Sequence, residues 1–477
     1  MSLRLLVRFR FSLFFFFFLA SSTHGFASAA TPPLELSLDA TSWQASWSAG
    51  ALMLLLLFTA YCAMKRYEVP LALALTLVSL SFLIIQWGSA EGILRASFLQ
   101  YANITVLFTA IAIPAHMIER SQGFKVIAAW LGYQLGKVRL RHPRITTPLL
   151  VIILLTATYL TSALMHTVPS ILLMTPIIIR LCASYKVPSR WILSAAIIAS
   201  NLGDTPNIVE SDAWGIQASD FVREVLPANL IVLAALIFLA TVLTQRGITS
   251  RSRAAGATQV PFYTLQVAQT AADWKKAKSD VAIDRRLLGA GLALLFLFLL
   301  FRVLYPPFAI AIGAATIVVA ILLERKQERY HSLTSLGFDV YLAFAAIFVL
   351  AGCVEHSWIG LVLHQQLAAA HGAAWAIAAT GYLGTTFTAD SSLTTAVSHT
   401  IQQMDPSRAG IWALAGGICA GGSSLITASS AGIILAEESQ RFNDPEHAIN
   451  FQRYLAFGLP FSFFMLIFYG IYYTFVR

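Results

Sequence analysis

From residue 47 to the C-terminus, long apolar segments alternate with short polar loops. Apolar helices of roughly 17 to 25 residues are long enough to cross a lipid bilayer. The composition agrees, because 57% of the 477 residues are hydrophobic and only 12% are charged, whereas soluble domains carry about 25% charged residues. A soluble protein of this composition would expose large apolar patches. The sequence therefore predicts an all-α polytopic membrane protein whose immediate partner is the lipid bilayer.

The positive net charge does not indicate nucleic-acid binding. The chain carries a net charge of +9, but its basic residues fall in the loops between apolar segments, which is the pattern of membrane topology. The four cysteines lie within apolar segments and lack the spacing of a metal site. The sequence contains neither a nucleotide-binding loop nor an intramembrane protease motif. We therefore expect no nucleic-acid partner, no cofactor and no enzymatic activity.

Residues 1–30 have the three-part layout of a secretory signal peptide. Three arginines within residues 4–10 precede an apolar run at 11–20, and a small-x-small cleavage sequence follows at 27–29. The alternative is an uncleaved membrane anchor. In both cases the segment that follows starts outside the cytoplasm. We expect a multi-pass protein of the cell inner (plasma) membrane with both mature termini outside the cytoplasm.

The basic loops also predict an inverted repeat. Cytoplasmic loops are rich in Lys and Arg, so their positions orient the spans. The first half, 47–244, contains five spans and one re-entrant hairpin. A polar and basic cytoplasmic linker follows at 245–286. The second half, 287–477, repeats the same order in the opposite orientation, which is an arrangement found in many secondary transporters.

Each half contains one apolar segment that polar residues interrupt near its centre. Segment 145–182 is interrupted from His166 to Ser170 and is flanked by basic residues at both ends, whereas a single crossing would be basic mainly at its cytoplasmic end. We therefore predict two half-helices that enter and leave on the cytoplasmic side. The alternative is two complete spans of about eighteen residues joined by a tight turn. Segment 374–401 is the second predicted hairpin, which enters from outside with its tip at 390–395.

Each hairpin is followed by a span that is itself broken, at 200–207 in the first half and within 421–432 in the second. Within a membrane the backbone leaves the helix only where it lines a cavity inside the protein, and paired breaks mark a transporter's binding site. Half-helix N-termini attract anions, whereas unwound carbonyls coordinate cations, so the breaks leave the sign of the substrate open. The predicted ion- or substrate-binding residues are Ser162, His166, Thr167, Ser170, Asn201, Asp204, Thr205, Asn207, Asp390, Ser391, Ser392, Thr394, Thr395, Ser423, Ser424 and Ser429.

Three of these residues are ionisable, and a charge at membrane depth costs about 2.5–3.5 kcal/mol. Asp390 and Asp204 are the candidate sodium ligands. His166 is a candidate proton carrier because histidine titrates near neutral pH. Two structural alternatives stay open: His166 forms a hydrogen bond that packs helices, or Asp204 caps the helix that follows it. The hydroxyl residues have the alternative of bonding helix carbonyls.

The motifs at these breaks resemble those of the ion transporter superfamily, which includes arsenite exporters, di- and tricarboxylate transporters and NhaD-type sodium/proton antiporters. Residues 161–176 are similar to its first-hairpin motif, and Gly203-Asp204-Thr205-Pro206-Asn207 is similar to its Gly-Asp signature. Residues 421–432 and the N-terminal layout are most similar to the antiporter branch. The resemblance implies a secondary transporter that works by alternating access, with a small ion substrate, coupling protons and a homodimeric assembly.

Departures from the superfamily pattern leave more than one function open. His166-Thr167 stands where the superfamily has Asp-Asn, and Asp390-Ser391-Ser392-Leu393 stands where it has Asp-Asn-x-Pro. The loss of a first-tip carboxylate weakens the case for a sodium site. Our first hypothesis is a sodium:proton antiporter. The alternative is a carboxylate or oxyanion (citrate- or arsenite-type) transporter, and the second alternative is a degenerate membrane paralogue that no longer transports.

Overall fold

The described residues are almost entirely helical and contain no strand. All of them belong to one unit of the chain, within Thr41–Arg477. The computed structural model describes residues 90–142, 145–165, 167–185, 187–205, 220–254, 270–272, 274–276, 284–305, 308–324, 345, 349, 373–387, 408–426, 428–441 and 449–475.

Twelve α-helices are defined within this part of the chain, and a π-helical turn, Phe221–Val225, directly precedes α6. The helices are α1 (Ala90–Arg120), α2 (Gly123–Arg141), α3 (Thr146–Met165), α4 (Thr167–Tyr185), α5 (Arg190–Gly203), α6 (Leu226–Ala254), α7 (Arg285–Leu304), α8 (Ala309–Leu323), α9 (Ala374–Phe387), α10 (Arg408–Gly422), α11 (Ser430–Arg441) and α12 (Phe451–Phe475).

Several of these helices have the length and composition of membrane spans. Large apolar side chains face outward, such as Phe238 at 72% and Phe296 at 64% exposure, as expected for contact with lipid tails. This agrees with the predicted all-α polytopic membrane protein. Among the described residues, three stretches are long and apolar enough to cross a membrane, and two further apolar helices are shorter: Thr146–Leu164, Phe221–Ile248 and Phe451–Phe475, then Ser170–Tyr185 and Ala309–Leu323.

Helices α3 and α4 form a hairpin with its turn at the predicted position. The Ser170 hydroxyl donates to the Thr158 carbonyl at 3.1 Å and lies 2.6 Å from the Thr161 hydroxyl, so the two arms run antiparallel side by side near the turn. The first arm has 20 residues, which makes it about 30 Å long, the thickness of the hydrocarbon core. A re-entrant hairpin with arms of this length must be tilted, and its distinction from two complete spans stays a prediction.

The helices pack in groups that bring two helix ends together. Helices α1, α7 and α8 pack on one another, α3 packs with α5 and α6, and α9 packs with α10 and α12. Helix α5 contacts both α10 and α12, so the group of α3, α5 and α6 is joined to the group of α9, α10 and α12. Helix α11 packs on α4 and α5. The approach of α10 to α9 requires glycine, because a Cβ on Gly417 would lie 2.1 Å from the Ala378 carbonyl oxygen. These contacts place the C-terminal ends of α5 and α10 against each other.

Several predicted features lie outside the described residues. They include the signal peptide (1–30), most of the linker (245–286) and the tip of the second hairpin (390–395). The inverted repeat, its number of spans and the orientation of the termini therefore stay predictions.

Candidate substrate site at the helix breaks

Helix α5 ends at Gly203 and helix α10 ends at Gly422, and both ends fall within the predicted breaks. Glycine weakens a helix, and Pro206 has no backbone N–H with which to continue the helical hydrogen bonds. In α10 the hydroxyls that follow the glycines bond back to the helix: Ser423 donates to the Cys419 carbonyl at 2.7 Å and Ser424 to the Gly421 carbonyl at 2.6 Å. The backbone therefore leaves the helix where local sequence favours it.

The two breaks contact each other directly. The Asn201 amide of α5 donates to the Ser423 hydroxyl at 3.1 Å. In the reverse direction, the Cys419 thiol of α10 donates to the Asn201 carbonyl at 3.2 Å and lies 3.3 Å from the Thr205 hydroxyl. All four residues are at most 2% exposed. We call this buried contact between the ends of α5 and α10 the junction.

The turn of the first hairpin is bonded to the same end of α5. The Ser162 hydroxyl donates to the Ser200 carbonyl at 2.6 Å. The Ser200 hydroxyl in turn donates at 3.3 Å to the carbonyl of Thr167, the first residue of α4. Ser170 is directed away from the junction, to Thr158 and Thr161 of its own hairpin. The structure thus brings Ser162 and Thr167 to the junction and gives Ser170 a packing contact.

The start of α11 also meets the junction. The Ser429 hydroxyl donates to the Asn201 side-chain oxygen at 3.0 Å and accepts from the backbone N–H of Ala431 at 3.1 Å, so it caps α11. The Asn201 side chain therefore bonds two residues of the second break, Ser423 and Ser429. Ser424 also lies 3.2 Å from the Thr386 hydroxyl, which ties the break to α9.

Sequence reasoning missed several residues of this network, among them Asn229, Tyr469 and Cys419. The Asn229 amide of α6 donates to the Thr205 hydroxyl at 3.1 Å and to the Leu202 carbonyl at 3.2 Å. Its side-chain oxygen accepts from the Tyr469 hydroxyl of α12 at 2.7 Å. An asparagine within an apolar helix is itself a signal, because an amide at membrane depth must find partners. Cys419 gave no comparable signal, since buried thiols are common in apolar helices.

Asp204 lies at the end of α5 that forms the junction. It is 7% exposed, and it is the C-terminal cap of α5, with its backbone N–H bonded to the Ser200 carbonyl at 3.1 Å. The expected role of Asp204 as the cap of the helix that follows it involves residues after Thr205. These residues lie outside the described part of the chain, so that role stays a prediction. Among the described residues no group of three or more His, Cys, Asp or Glu comes together.

The hydroxyl protons at the junction are committed to protein acceptors. Ser162, Ser423 and Ser424 donate to helix carbonyls, as the hydroxyl alternative in the sequence predicted, and Thr205 donates to the Leu202 carbonyl at 2.7 Å. A hydroxyl that donates its proton retains acceptor lone pairs. These side chains can therefore accept a hydrogen bond from a ligand or coordinate a cation. An anion would instead bind mainly to the N–H groups at helix N-termini.

Seven predicted site residues lie outside the described part of the chain, so their positions at the junction stay predictions. They are His166, Asn207, Asp390, Ser391, Ser392, Thr394 and Thr395.

Comparison with known proteins identifies the relatives of this chain. It is 28% identical to an uncharacterized transporter of Mycobacterium tuberculosis over 281 residues, which are 56% of this chain and 58% of that protein. The match thus spans little more than half of that relative's length. It is 24% identical to the 46 kDa membrane protein of Mycobacterium leprae, covering 78% of this chain and 85% of the relative. It is 25% identical to the magnetosome protein MamN of Magnetospirillum gryphiswaldense, covering 64% and 72%.

The sequence profile of one family covers most of the chain. The citrate transporter family CitMHS matches residues 51–432, which include both helix breaks and the junction. The family and two of its mycobacterial relatives carry the names of transporters, not of enzymes, and this agrees with the expected class. A particular closeness to NhaD-type antiporters stays a prediction. On the extent of this match, the chain belongs to the citrate transporter (CitMHS) family.

Proposed function

We propose that this chain is a secondary transporter that carries a small carboxylate anion of the citrate class across the membrane by alternating access. The family match supports the substrate class. The buried breaks support the location, because helix interruptions at membrane depth form the binding sites of such transporters. Carboxylate transport was the alternative in the sequence analysis, and the family match now makes it our leading proposal.

The observation that carries this proposal is the convergence of two helix N-termini on adjacent residues of α5. Ser200 is bonded to Thr167, where α4 begins, and Asn201 is bonded to Ser429, which caps α11. A helix N-terminus carries a partial positive charge of about half an elementary charge. Two such termini, bonded to neighbouring residues of α5, favour an anionic substrate over a neutral solute.

A coupling cation has a separate set of groups at the same place. The C-terminal ends of α5 and α10 carry partial negative charge, and the Ser423 hydroxyl, which donates to the Cys419 carbonyl, retains acceptor capacity. Asp204, a residue that is 7% exposed, caps the end of α5. We propose that sodium or a proton binds here and is carried with the anion. The coupling protons, the homodimer, and the inner-membrane location with both mature termini outside the cytoplasm remain part of this proposal.

Transport into proteoliposomes tests the proposal. The purified protein is reconstituted, and uptake of radiolabelled citrate and succinate is measured with an imposed sodium gradient or an imposed proton gradient. We expect gradient-dependent citrate uptake, which Asp204→Asn reduces at least tenfold. The matched control is Glu91→Gln, which neutralises an exposed carboxylate in the first turn of α1 and should transport normally. Uptake in Asp204→Asn at the wild-type rate would contradict the cation site.

The sodium:proton antiporter is the second candidate, and the buried carboxyl of Asp204 favours it. A carboxylate that binds sodium and protons in turn needs no anionic substrate. The two candidates separate in the same vesicles, because sodium added without any carboxylate evokes proton movement only in an antiporter. A protein that moves neither citrate nor protons would instead match the degenerate paralogue.

A further inference from the structure

We propose that Asn201 and Cys419 form a reciprocal clasp that keeps the two helix breaks in fixed register throughout the transport cycle. Asn201 then acts as a positioning residue and not as a direct ligand of the substrate. This inference rests on the proposed transport function and assigns a role to residues within that site.

The clasp is reciprocal because equivalent positions contact each other in both directions. Gly203 and Gly421 occupy the same place in their halves: a Cβ on Gly203 would lie 2.3 Å from the Tyr159 carbonyl of α3, and a Cβ on Gly421 would lie 2.4 Å from the Tyr382 carbonyl of α9. Tyr159 lies on the first arm of the α3–α4 hairpin, and Tyr382 lies on α9, which is the first arm of the predicted second hairpin. The two glycines therefore align the two breaks residue by residue.

The contacts across the junction follow this alignment. Asn201 and Cys419 stand two residues before their glycines, and Thr205 and Ser423 stand two residues after them. Asn201 bonds Ser423 at 3.1 Å, and Cys419 lies 3.3 Å from Thr205. A pair of contacts in which each half contributes the same two positions is the signature of two-fold symmetry, and it supports the predicted internal repeat.

The clasp is expected to stay closed because opening it would strand buried polar groups. The Asn201 amide bonds Ser423 and Ser429, and neither serine is solvent-exposed. Separation of the breaks would leave amide and hydroxyl groups without partners in an apolar environment, which is costly. The clasp instead fixes Ser429, which caps α11, so Asn201 sets the position of one of the two helix N-termini that the proposed anion would meet.

A disulfide across the clasp tests whether it opens. Thr205→Cys would place a second thiol near the Cys419 sulfur, since the Thr205 oxygen now lies 3.3 Å from it, and a shift of about 1 Å reaches bonding distance. The other cysteines (Cys62, Cys182 and Cys353) are replaced by alanine. Diamide, a diazene, accepts two electrons and two protons from the thiols and becomes a hydrazine as the disulfide forms.

We expect complete disulfide formation. Citrate uptake by the oxidised Thr205→Cys protein should lie within about twofold of uptake by the same variant in its reduced form, because the loss of the Thr205 hydroxyl affects both forms equally. Transport that diamide abolishes and dithiothreitol restores would overturn the proposal, because the breaks would then have to separate during the cycle. Failure of the disulfide to form would overturn it as well. The same background without Thr205→Cys controls for effects of diamide on the rest of the protein.

The positioning role of Asn201 is tested by kinetics. Asn201→Ala removes the bonds to Ser423 and to Ser429 and should raise the KM for citrate at least about tenfold, because the N-terminus of α11 loses its positioning contact. The change in kcat should be much smaller. Asn201→Ala and Ser423→Ala should be non-additive in KM, because both remove the same contact. Additive effects, or a fall in kcat alone, would contradict the positioning role.

The clasp and the transport function fail in different ways. A protein that moves no carboxylate refutes the proposed function, whereas the disulfide is detected by mass spectrometry and thiol labelling without any substrate. The rate of disulfide formation should be the same with and without citrate and sodium. A rate that either ligand changes more than about threefold would contradict a fixed register.

Discussion

Replacing Gly203 by alanine tests the packing that builds the candidate site. A Cβ at this position would lie 2.3 Å from the Tyr159 carbonyl oxygen and 2.8 Å from the Ser162 Cβ, whereas ordinary contacts begin at 3.4 Å. The carbonyl belongs to the backbone of α3, so it cannot rotate away. Helices α3 and α5 must therefore move apart by about 1 Å.

The size of the effect follows from two terms. Overpacking of this kind costs about 1–3 kcal/mol, and contact with rigid backbone places Gly203→Ala at the upper end. A separation of about 1 Å also lengthens the 2.6 Å bond from Ser162 to the Ser200 carbonyl beyond hydrogen-bonding distance, which costs about 1 kcal/mol more. We expect a total loss of about 3–4 kcal/mol, together with slower transport because the first hairpin loses its contact with the junction.

The assay is thermal unfolding of the detergent-purified protein, followed by intrinsic fluorescence, in parallel with citrate uptake. At about 2 °C per kcal/mol, the Tm of Gly203→Ala should fall by roughly 6–8 °C. The matched control is Gly289→Ala in α7, where no atom lies within 4 Å of the new Cβ and helix propensity favours alanine by about 1 kcal/mol. Equal Tm values for the two variants would refute the packing argument.

Three further substitutions test other parts of the fold, each by its Tm. Arg120→Ala removes one ionic partner of Glu324, whose fully buried side chain lies 3.3 Å away, and should cost up to about 3–5 kcal/mol; Glu324→Gln should be milder, and the reverse order would contradict a charge effect. Tyr469→Phe deletes the 2.7 Å hydrogen bond to Asn229 and should lower the free energy of unfolding by about 1–2 kcal/mol. An unchanged Tm would contradict this contribution of the bond. Asp284→Ala removes the side chain that accepts from two N–H groups at the start of α7 and should cost about 1 kcal/mol, whereas Asp284→Asn should be nearly neutral.

The sequence alone located the helix breaks because helix termination is a local property. Gly203 with the downstream Pro206, and the glycines and serines at 421–424, stop a helix through backbone freedom, the missing N–H of proline and hydroxyl bonding to nearby carbonyls. Apolar length alone likewise predicted a helical membrane protein. The family resemblance placed citrate transport among the alternatives, but it favoured the antiporter branch, for which the family match gives no particular support.

Only the tertiary structure decided which of these local features meet. Asn201 and Ser423 lie more than 200 residues apart in the chain, and a contact between such residues leaves no local pattern in the sequence. The same holds for Asn229 and Tyr469, which join the site through partners on other helices. The direction of the hydroxyl protons also depends on these contacts, because a serine donates to whichever acceptor the packing places within reach. Local chemistry thus determined where the helices stop, and the packing of α5 against α10 determined that the two ends form one site.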